Sequence, residues 1–155
     1  MRQTFLVNTV NFLENLPQWS DIAVIIAYDD SDGWYDHQMG PIVSQSNTSY
    51  DALTGVGACG TAPGGAAQGR CAYGPRMPLL VISPFAKTNF VDHTVTDLSS
   101  IPRFIEDNWQ LGRIGGGSFD AIAGTLLNMF DFGTGKPGHR LFLNPSTGLP
   151  TQGTP

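Results

Sequence analysis

The first apolar positions fall near helical spacing. Phe5, Leu6, Val10, Leu13 and Leu16, widened by Phe12, predict an amphipathic helix over residues 4–16, and Pro17 stops it. The spacing then changes. Ile22 to Tyr28 is a near-continuous apolar run, the pattern of a strand buried on both faces. A second run, Met77 to Ser83, reads the same way and is closed by Pro84. Between the two, residues 38–76 are rich in Gly, Ser, Thr and Asn and hold no convincing element. A structureless stretch of that length is uncommon in a compact domain, where it is usually functional or disordered. After Pro84 the chain reads as loop, with a short strand at Asn89–Val91.

Ser99 or Ser100 caps a helix that runs to about Gln110. Pro102 falls in its first turn, where a missing N–H costs little. Ile101, Phe104, Ile105 and Trp109 form its apolar stripe. A Gly linker then leads to an N-cap at Ser118 and a further short helix ending at Phe130. The tail from Gly133 is rich in Pro and Gly and reads as extended on the surface. No segment repeats. Strand, loop, strand, helix, helix is an α/β order. Two clear strands make a thin sheet, so the chain reads as part of something larger.

Composition narrows this picture. A chain of 155 residues is enough for one domain with a real core. Its charged fraction is 14%, against about 25% in typical domains. With 19 Gly and 11 Pro, much of it should be loop. The net charge is −5 and there is no basic run, which argues against a nucleic-acid groove. No stretch reaches the roughly 18 apolar residues of a membrane span. The opening Met1-Arg2-Gln3-Thr4-Phe5-Leu6 has no apolar signal core, so the sequence as given carries no export address. Cys59 and Cys71 flank the Gly-rich segment GTAPGGAAQGR. The favoured reading is a disulfide closing that loop, worth about 2–3 kcal/mol on the chain-entropy view and implying an oxidising compartment. The alternative is two unrelated thiols in a reducing cytosol. Without CxxC spacing the pair does not suggest a zinc site.

The chemistry concentrates in VIIAYDDSDGWYDH, residues 24–37. A buried strand runs straight into Asp29, Asp30, Asp32, Asp36 and His37. Like charges repel and resist desolvation, so something positive should lie near them. In open α/β sheets, ligands sit beyond the carboxyl ends of the strands. Neighbouring strand residues point to opposite faces. Asp29 and Asp30 can therefore share a site only where the strand is already turning, or where two ions lie on either side. Carboxylate oxygens suit Mg²⁺, Ca²⁺ or Mn²⁺, and added imidazole suits Zn²⁺. Gly33 suits a tight turn. A calcium-loop register fails, because aligning Gly33 with the EF-hand glycine puts Tyr28 at the first ligand position and Met39 at the bidentate acid. A paired-Asp hairpin of the polymerase kind would need a second apolar strand at once, and the Ser/Gly-rich segment supplies none. Metal-assisted phosphoester hydrolysis is the third reading.

YDDSDGWYDH resembles the strand-end motif YDE-x-x-G-x-x-DH of the phosphoesterase family that contains bacterial phospholipases C and acid phosphatases. YGPRMPLLVISPFAKTNFVDHT is similar to that family's G-x-R-x-P-L-x-V-I-S-P block with its following V-D-H-T segment. SSIPRFIEDNW resembles its S-I-x-R-F-I-E helix, and MFDF recurs near its C-terminal end. The matches run in order over roughly residues 5–133. Any one would be weak; together they are specific.

The resemblance implies an α/β, alkaline-phosphatase-like fold, present in part. Its few strands should be mostly parallel, with flanking helices and long Gly-rich loops. It implies that residues 1–155 form a C-terminal portion of one phosphoesterase domain, with a long loop at 38–76 and an extended tail at 133–155. Asp29 and Asp30 match the family's metal-binding acidic pair, with Asp30 standing for the commoner Glu. Asp36 and His37 match the DH of the same motif, and His93 matches the second DH. His37 and His93 are weak candidates for contacts to substrate or behind the metal ligands; the plainer readings are packing for His37 and a loop hydrogen bond for His93. The family's Glu-Asn metal pair and its Ser or Thr nucleophile precede this region. Glu14-Asn15 lies on a helix rather than at a strand end, and its likeness to that pair is a coincidence. The expected function is metal-dependent phosphoester hydrolysis, with this chain supplying part of the site, a divalent metal as cofactor and a phosphoester, including phospholipid, as substrate. A secreted or periplasmic location goes with it. The alternative is a catalytically inactive secreted module that binds a partner along exposed sheet edges.

Overall fold

The structure, a computed structural model, describes residues 2–33, 36–38, 40–41, 53–55, 58–59, 73–116, 118–133 and 138–151, with backbone alone at Arg2, 53–55 and 58–59. The chain is α/β. Among the described residues it carries two α-helices and two two-stranded sheets, one of β1 (Val24–Ala27) and β4 (Leu79–Ile82), the other of β2 (Leu53–Gly55) and β3 (Ala58–Cys59). It divides into two compact units, Met1–Ile26 with Leu80–Asp92 and Leu127–Pro155, and Ala27–Leu79 with His93–Leu126.

In the first unit, helix α1 (Arg2–Asn15) forms where expected and ends before Pro17. Its buried face matches the predicted stripe only in part, at the half-buried Val10, Leu13 and Leu16. Phe5 and Phe12 are 69% and 63% exposed, and Leu6 is exposed too. The face turned inward carries Val7, Val10, Asn11 and Glu14, spaced by three and four residues, with Val7 and Glu14 buried. The reason is what covers it. The Asn11 amide donates from Nδ2 to the Leu143 carbonyl at 2.8 Å and accepts the Leu143 N–H at 3.1 Å. Glu14 accepts the Leu141 N–H at 3.0 Å. The helix thus meets a backbone, and buried backbone needs polar partners. Burial pushes the Glu14 carboxyl up, opposed by the Leu141 N–H and the charge of Arg140. Glu14 is a structural anchor. The tail is correspondingly not simply extended: it turns at residues 145–147, and Leu143 bridges Pro150.

Strand β1 (Val24–Ala27) pairs with β4 (Leu79–Ile82), both shorter than their apolar runs. β1 is half-buried throughout, and Leu80 on β4 is 56% exposed, so neither is enclosed on both faces as expected. Beyond β4, Ala86 and Phe130 form an antiparallel bridge, and Lys87 N–H donates to the Met129 carbonyl at 2.8 Å. The Phe130 and Phe132 rings stack at 5.2 Å. The strand predicted at Asn89–Val91 is absent: residues 88–89 turn, with Asn89 at φ 53°.

In the second unit, the segment read as devoid of elements contains an antiparallel pair, β2 (Leu53–Gly55) and β3 (Ala58–Cys59). Two short runs two residues apart are a hairpin signal that the surrounding Gly and Ser obscured. Helix α2 (Ser100–Trp109) follows the sequence reading in extent, but Ser99, at its N-cap, makes no side-chain cap. Its start is held by Asp97, which accepts the Ser99 N–H at 2.7 Å and the Ser99 hydroxyl, while Ser100 Oγ accepts the Asp97 N–H at 3.1 Å. Of its stripe, Ile101 and Phe104 are half-buried; Ile105 and Trp109 are exposed.

The helix expected over 118–130 does not form. Short 3₁₀ turns at Phe119–Ala121 and Leu127–Met129 take its place, and Ser118 makes no side-chain cap. Gly124 explains the break. A Cβ there would lie 2.0 Å from the Val95 carbonyl oxygen, so the chain is pressed against a neighbouring backbone that a continuing helix would foul. Asp120 and Leu126 on either side are fully buried.

Candidate functional site

The acidic segment follows β1 directly. Tyr28, Asp29 and Asp30 are exposed where the strand ends and the backbone bends. Asp30 Oδ1 accepts the Asp32 N–H, closing a local turn. Asp32 and Gly33 then adopt left-handed conformations in succession, φ 50° and 77°. Asp tolerates that region and Gly enters it without cost, so the chain reverses sharply after the acid pair. The strand is thus already turning at Asp29 and Asp30, one of the two conditions under which the pair could share a site.

The positive partner that the carboxylates called for is Arg76. It meets Asp36 across 40 positions of sequence. Arg76 Nε donates to Asp36 Oδ2 at 2.8 Å, Nη2 to Oδ1 at 3.0 Å, and the Arg76 backbone N–H to Oδ2 at 3.0 Å. The Gln38 N–H adds a fourth bond to Oδ1 at 3.0 Å. Both oxygens of Asp36 are therefore committed to protein donors. The Arg76 guanidinium, with the Gln38 and Arg76 backbone N–H groups, holds the Asp36 carboxyl well below the usual carboxylate range. The side chain of Asp36 is 13% exposed, that of Arg76 75%.

A second contact runs beside this one. Tyr73 N–H donates to the Pro41 carbonyl at 3.2 Å. Gly40 is needed there, because a Cβ would lie 2.8 Å from the Tyr73 carbonyl oxygen. Residues 36–41 and 73–76 are thus joined at both ends. The Tyr73 hydroxyl hydrogen-bonds Asp97, the residue that starts α2; burial and that carboxylate push its pKa up. One short stretch, Tyr73 to Arg76, ties the acidic motif to the α2 start.

His37 and His93 are exposed. Among the described residues, no three His, Cys, Asp or Glu side chains gather as a metal-binding group. The structure therefore brings together Asp36 and Arg76, and leaves Asp29 and Asp30 as an exposed pair. Sequence reading missed the Asp36–Arg76 and Tyr73–Asp97 partnerships. The signal for the first was charge balance: Arg76 is the one basic residue between Asp36 and Met77 apart from Arg70. The expected Cys59–Cys71 disulfide lies outside the described residues, since Cys71 and the Cys59 side chain are not described. No helix among the described residues is long and apolar enough to cross a membrane.

Comparison with known proteins agrees with the resemblance that these motifs carry. The model of the Phosphoesterase family matches residues 1–112, and the chain belongs to that family. It is 37% identical over 91 residues to a non-hemolytic phospholipase C of Burkholderia pseudomallei, covering 57% of this chain and 13% of that protein. It is 29% identical over 122 residues to a non-hemolytic phospholipase C of Pseudomonas aeruginosa, covering 74% and 18%. A non-specific phospholipase C1 of Arabidopsis thaliana is 29% identical over 136 residues, covering 83% and 24%. The chain thus spans a quarter or less of the length of these relatives.

Proposed function

We propose that this chain supplies the acidic part of the active site of a metal-dependent phosphoester hydrolase of the phospholipase C or acid phosphatase type. The observation that carries the reading is an exposed, adjacent carboxylate pair at the end of β1, in a chain of the Phosphoesterase family. Asp29 and Asp30 would hold the divalent metal. They fit it in charge and donor type, since hard cations take carboxylate oxygen. They do not fit it in number, since such a site wants about four to six donors. The remaining donors and the nucleophile belong to other parts of the complete enzyme. A bound metal would supply a lowered pKa for the nucleophile and neutralisation of charge on the phosphate oxygens. The chain's own residues set the stage. The Asp30–Asp32 turn shapes the backbone that carries the pair, and the exposed His37 and His93 would be weak candidates for contacts to substrate or behind the metal ligands.

The same reading places residues 1–155 within one alkaline-phosphatase-like domain, with β1 and β4 as parallel neighbours, a Cys59–Cys71 disulfide and a secreted or periplasmic location. A phospholipid is the substrate most in keeping with the relatives' names. The test uses the chain and a longer enzyme carrying it. The chain alone should not hydrolyse p-nitrophenyl phosphate or its phosphocholine ester with Mg²⁺, Mn²⁺ or Zn²⁺. In the longer enzyme, Asp29→Asn should cut kcat by about 100-fold, the scale of losing one transition-state charge stabiliser. An unaffected variant refutes the metal role. A second reading, an inactive partner-binding module, is favoured by the exposed Trp109, Leu111 and Ile114, close in sequence at the end of α2. It requires that no longer enzyme carrying this segment turn over phosphoester.

A further inference from the structure

Helix α2 covers its charged face and leaves its apolar face open. At about 100° per residue, Arg103, Glu106 and Asp107 share one face, and Ile101, Ile105 and Trp109 lie on the opposite one. The charged face is met by the chain that follows. Arg103 Nη1 donates to the Ala123 carbonyl at 2.6 Å. Arg113 donates from Nη1 to Glu106 Oε2 at 3.1 Å and from Nη2 to Asp107 Oδ1 at 2.6 Å, and Glu106 is buried. Opposite, Ile105 is exposed, and beyond it Trp109, Leu111 and Ile114 are 63%, 68% and 70% exposed. The turn that carries the last two is built into the unit. The Leu111 N–H donates to the Glu106 carbonyl at 3.0 Å, past the left-handed Gln110, and the Ile114 N–H donates to the buried Asp120 at 3.1 Å.

Size and charge choose what such a tip fits. Four apolar side chains offer roughly a few hundred Å², below the roughly 800 Å² per partner of a stable protein interface. A bilayer asks for neither a minimum area nor a matched shape, since each inserted side chain adds its own transfer energy. Residues 100–116 carry two positive and two negative side chains, Arg103, Arg113, Glu106 and Asp107, and all four are paired among themselves. The tip therefore presents no free charge, and the net charge of −5 opposes approach to an anionic surface. Trp109 stands between the paired charges and the apolar tip, a setting that suits the indole at a membrane–water boundary. Resting on the phospholipid reading above, we propose that Trp109, Leu111 and Ile114, with Ile105 behind them, form a membrane-contact site for an electroneutral, phosphatidylcholine-type lipid surface.

The probe is a vesicle of dioleoylphosphatidylcholine, mixed with the chain, with the bound fraction read by sedimentation. Leu111→Ser and Ile114→Ser should each raise the lipid concentration for half-binding about tenfold, the scale of one aliphatic side chain leaving water. Val91→Ser, at a residue of the other unit that is as exposed as Ile114, should change nothing. Added phosphatidylglycerol should not strengthen binding and added salt should not weaken it, because no free cation is involved. Circular dichroism that is the same in every variant reports that the fold persists. Wild-type chain that does not bind these vesicles, or tip variants that bind like Val91→Ser, overturn the proposal. So does a wild-type chain that ignores vesicles but self-associates and becomes monomeric in Leu111→Ser, since the tip is then a contact between copies. The hydrolase reading is scored separately, on turnover of soluble p-nitrophenyl phosphocholine by a longer enzyme carrying this segment. Turnover without vesicle binding sinks the lipid site alone; vesicle binding without turnover sinks the hydrolase reading and leaves the tip standing.

Discussion

Replacing Asn11 by Ala isolates the unusual packing of α1, a helix docked on backbone rather than on side chains. Asn11 exchanges two hydrogen bonds with Leu143, at 2.8 and 3.1 Å, in a half-buried setting. A net contribution of about 0.5–1.5 kcal/mol per bond gives about 1–3 kcal/mol lost. Ala is the better helix former, which returns about 0.5 kcal/mol. Asn8→Ala, at an exposed position of the same helix, makes the same propensity gain without touching the tail. The difference between the two variants in urea unfolding should therefore be about 1–3 kcal/mol, with Asn11→Ala the less stable. Hydrogen exchange should localise the loss: the Leu143 amide should exchange faster in Asn11→Ala and unchanged in Asn8→Ala. Equal stabilities, with equal protection at Leu143, would refute the view that Asn11 supplies the polar partner the Leu143 backbone needs.

Three further outcomes follow from named contacts. Gly124→Ala places a Cβ against the Val95 carbonyl and should cost about 2–3 kcal/mol in chemical unfolding, as overpacking against backbone does; Gly112→Ala meets nothing within 4 Å but carries φ 78°, so it should show backbone strain alone and a smaller loss. Asp36 is depressed in the fold, so its stabilisation is complete above the unfolded carboxyl pKa near 4 and lost only as pH falls toward the lower folded value; a carbon-detected NMR titration should find it still ionised at about pH 3, and Arg76→Gln should return it to the ordinary range. Glu14 is raised, so its contribution is complete below the unfolded value and fades as pH rises through the folded one; Glu14→Gln, which keeps an acceptor for Leu141, should gain stability over wild type as pH rises past the ordinary carboxyl range, and a constant difference across pH would show that Glu14 does not titrate with folding.

Much of the fold was legible because it depends on local pattern. α1, β1, β4 and α2 sit within a few residues of where periodicity, Pro17, Pro84 and the Ser99–Ser100 start put them. What failed depended on distant chain. Phe5 and Phe12 look like a core stripe until the tail at 141–143 is seen to cover the opposite face, which needs Asn11 and Glu14. The helix over 118–130 satisfies local spacing, but the close approach of Val95 to Gly124 decides otherwise. The β2–β3 pair was hidden in a composition that reads as loop. At the site, motif order pointed to Asp29 and Asp30, and crowded charge pointed to a metal beside them. The charge partner that the structure shows, Arg76 on Asp36, is a contact between residues 40 apart, which spacing does not encode.

The most direct test of the central claim is a map of where Mn²⁺ binds. Mn²⁺ is added to labelled chain into the millimolar range, because two carboxylates alone bind a hard cation weakly. Selective broadening centred on Asp29 and Asp30, abolished in the Asp29→Asn, Asp30→Asn double variant, is the expected result. Broadening spread evenly over the thirteen Asp and Glu residues, or centred away from the end of β1, would contradict it.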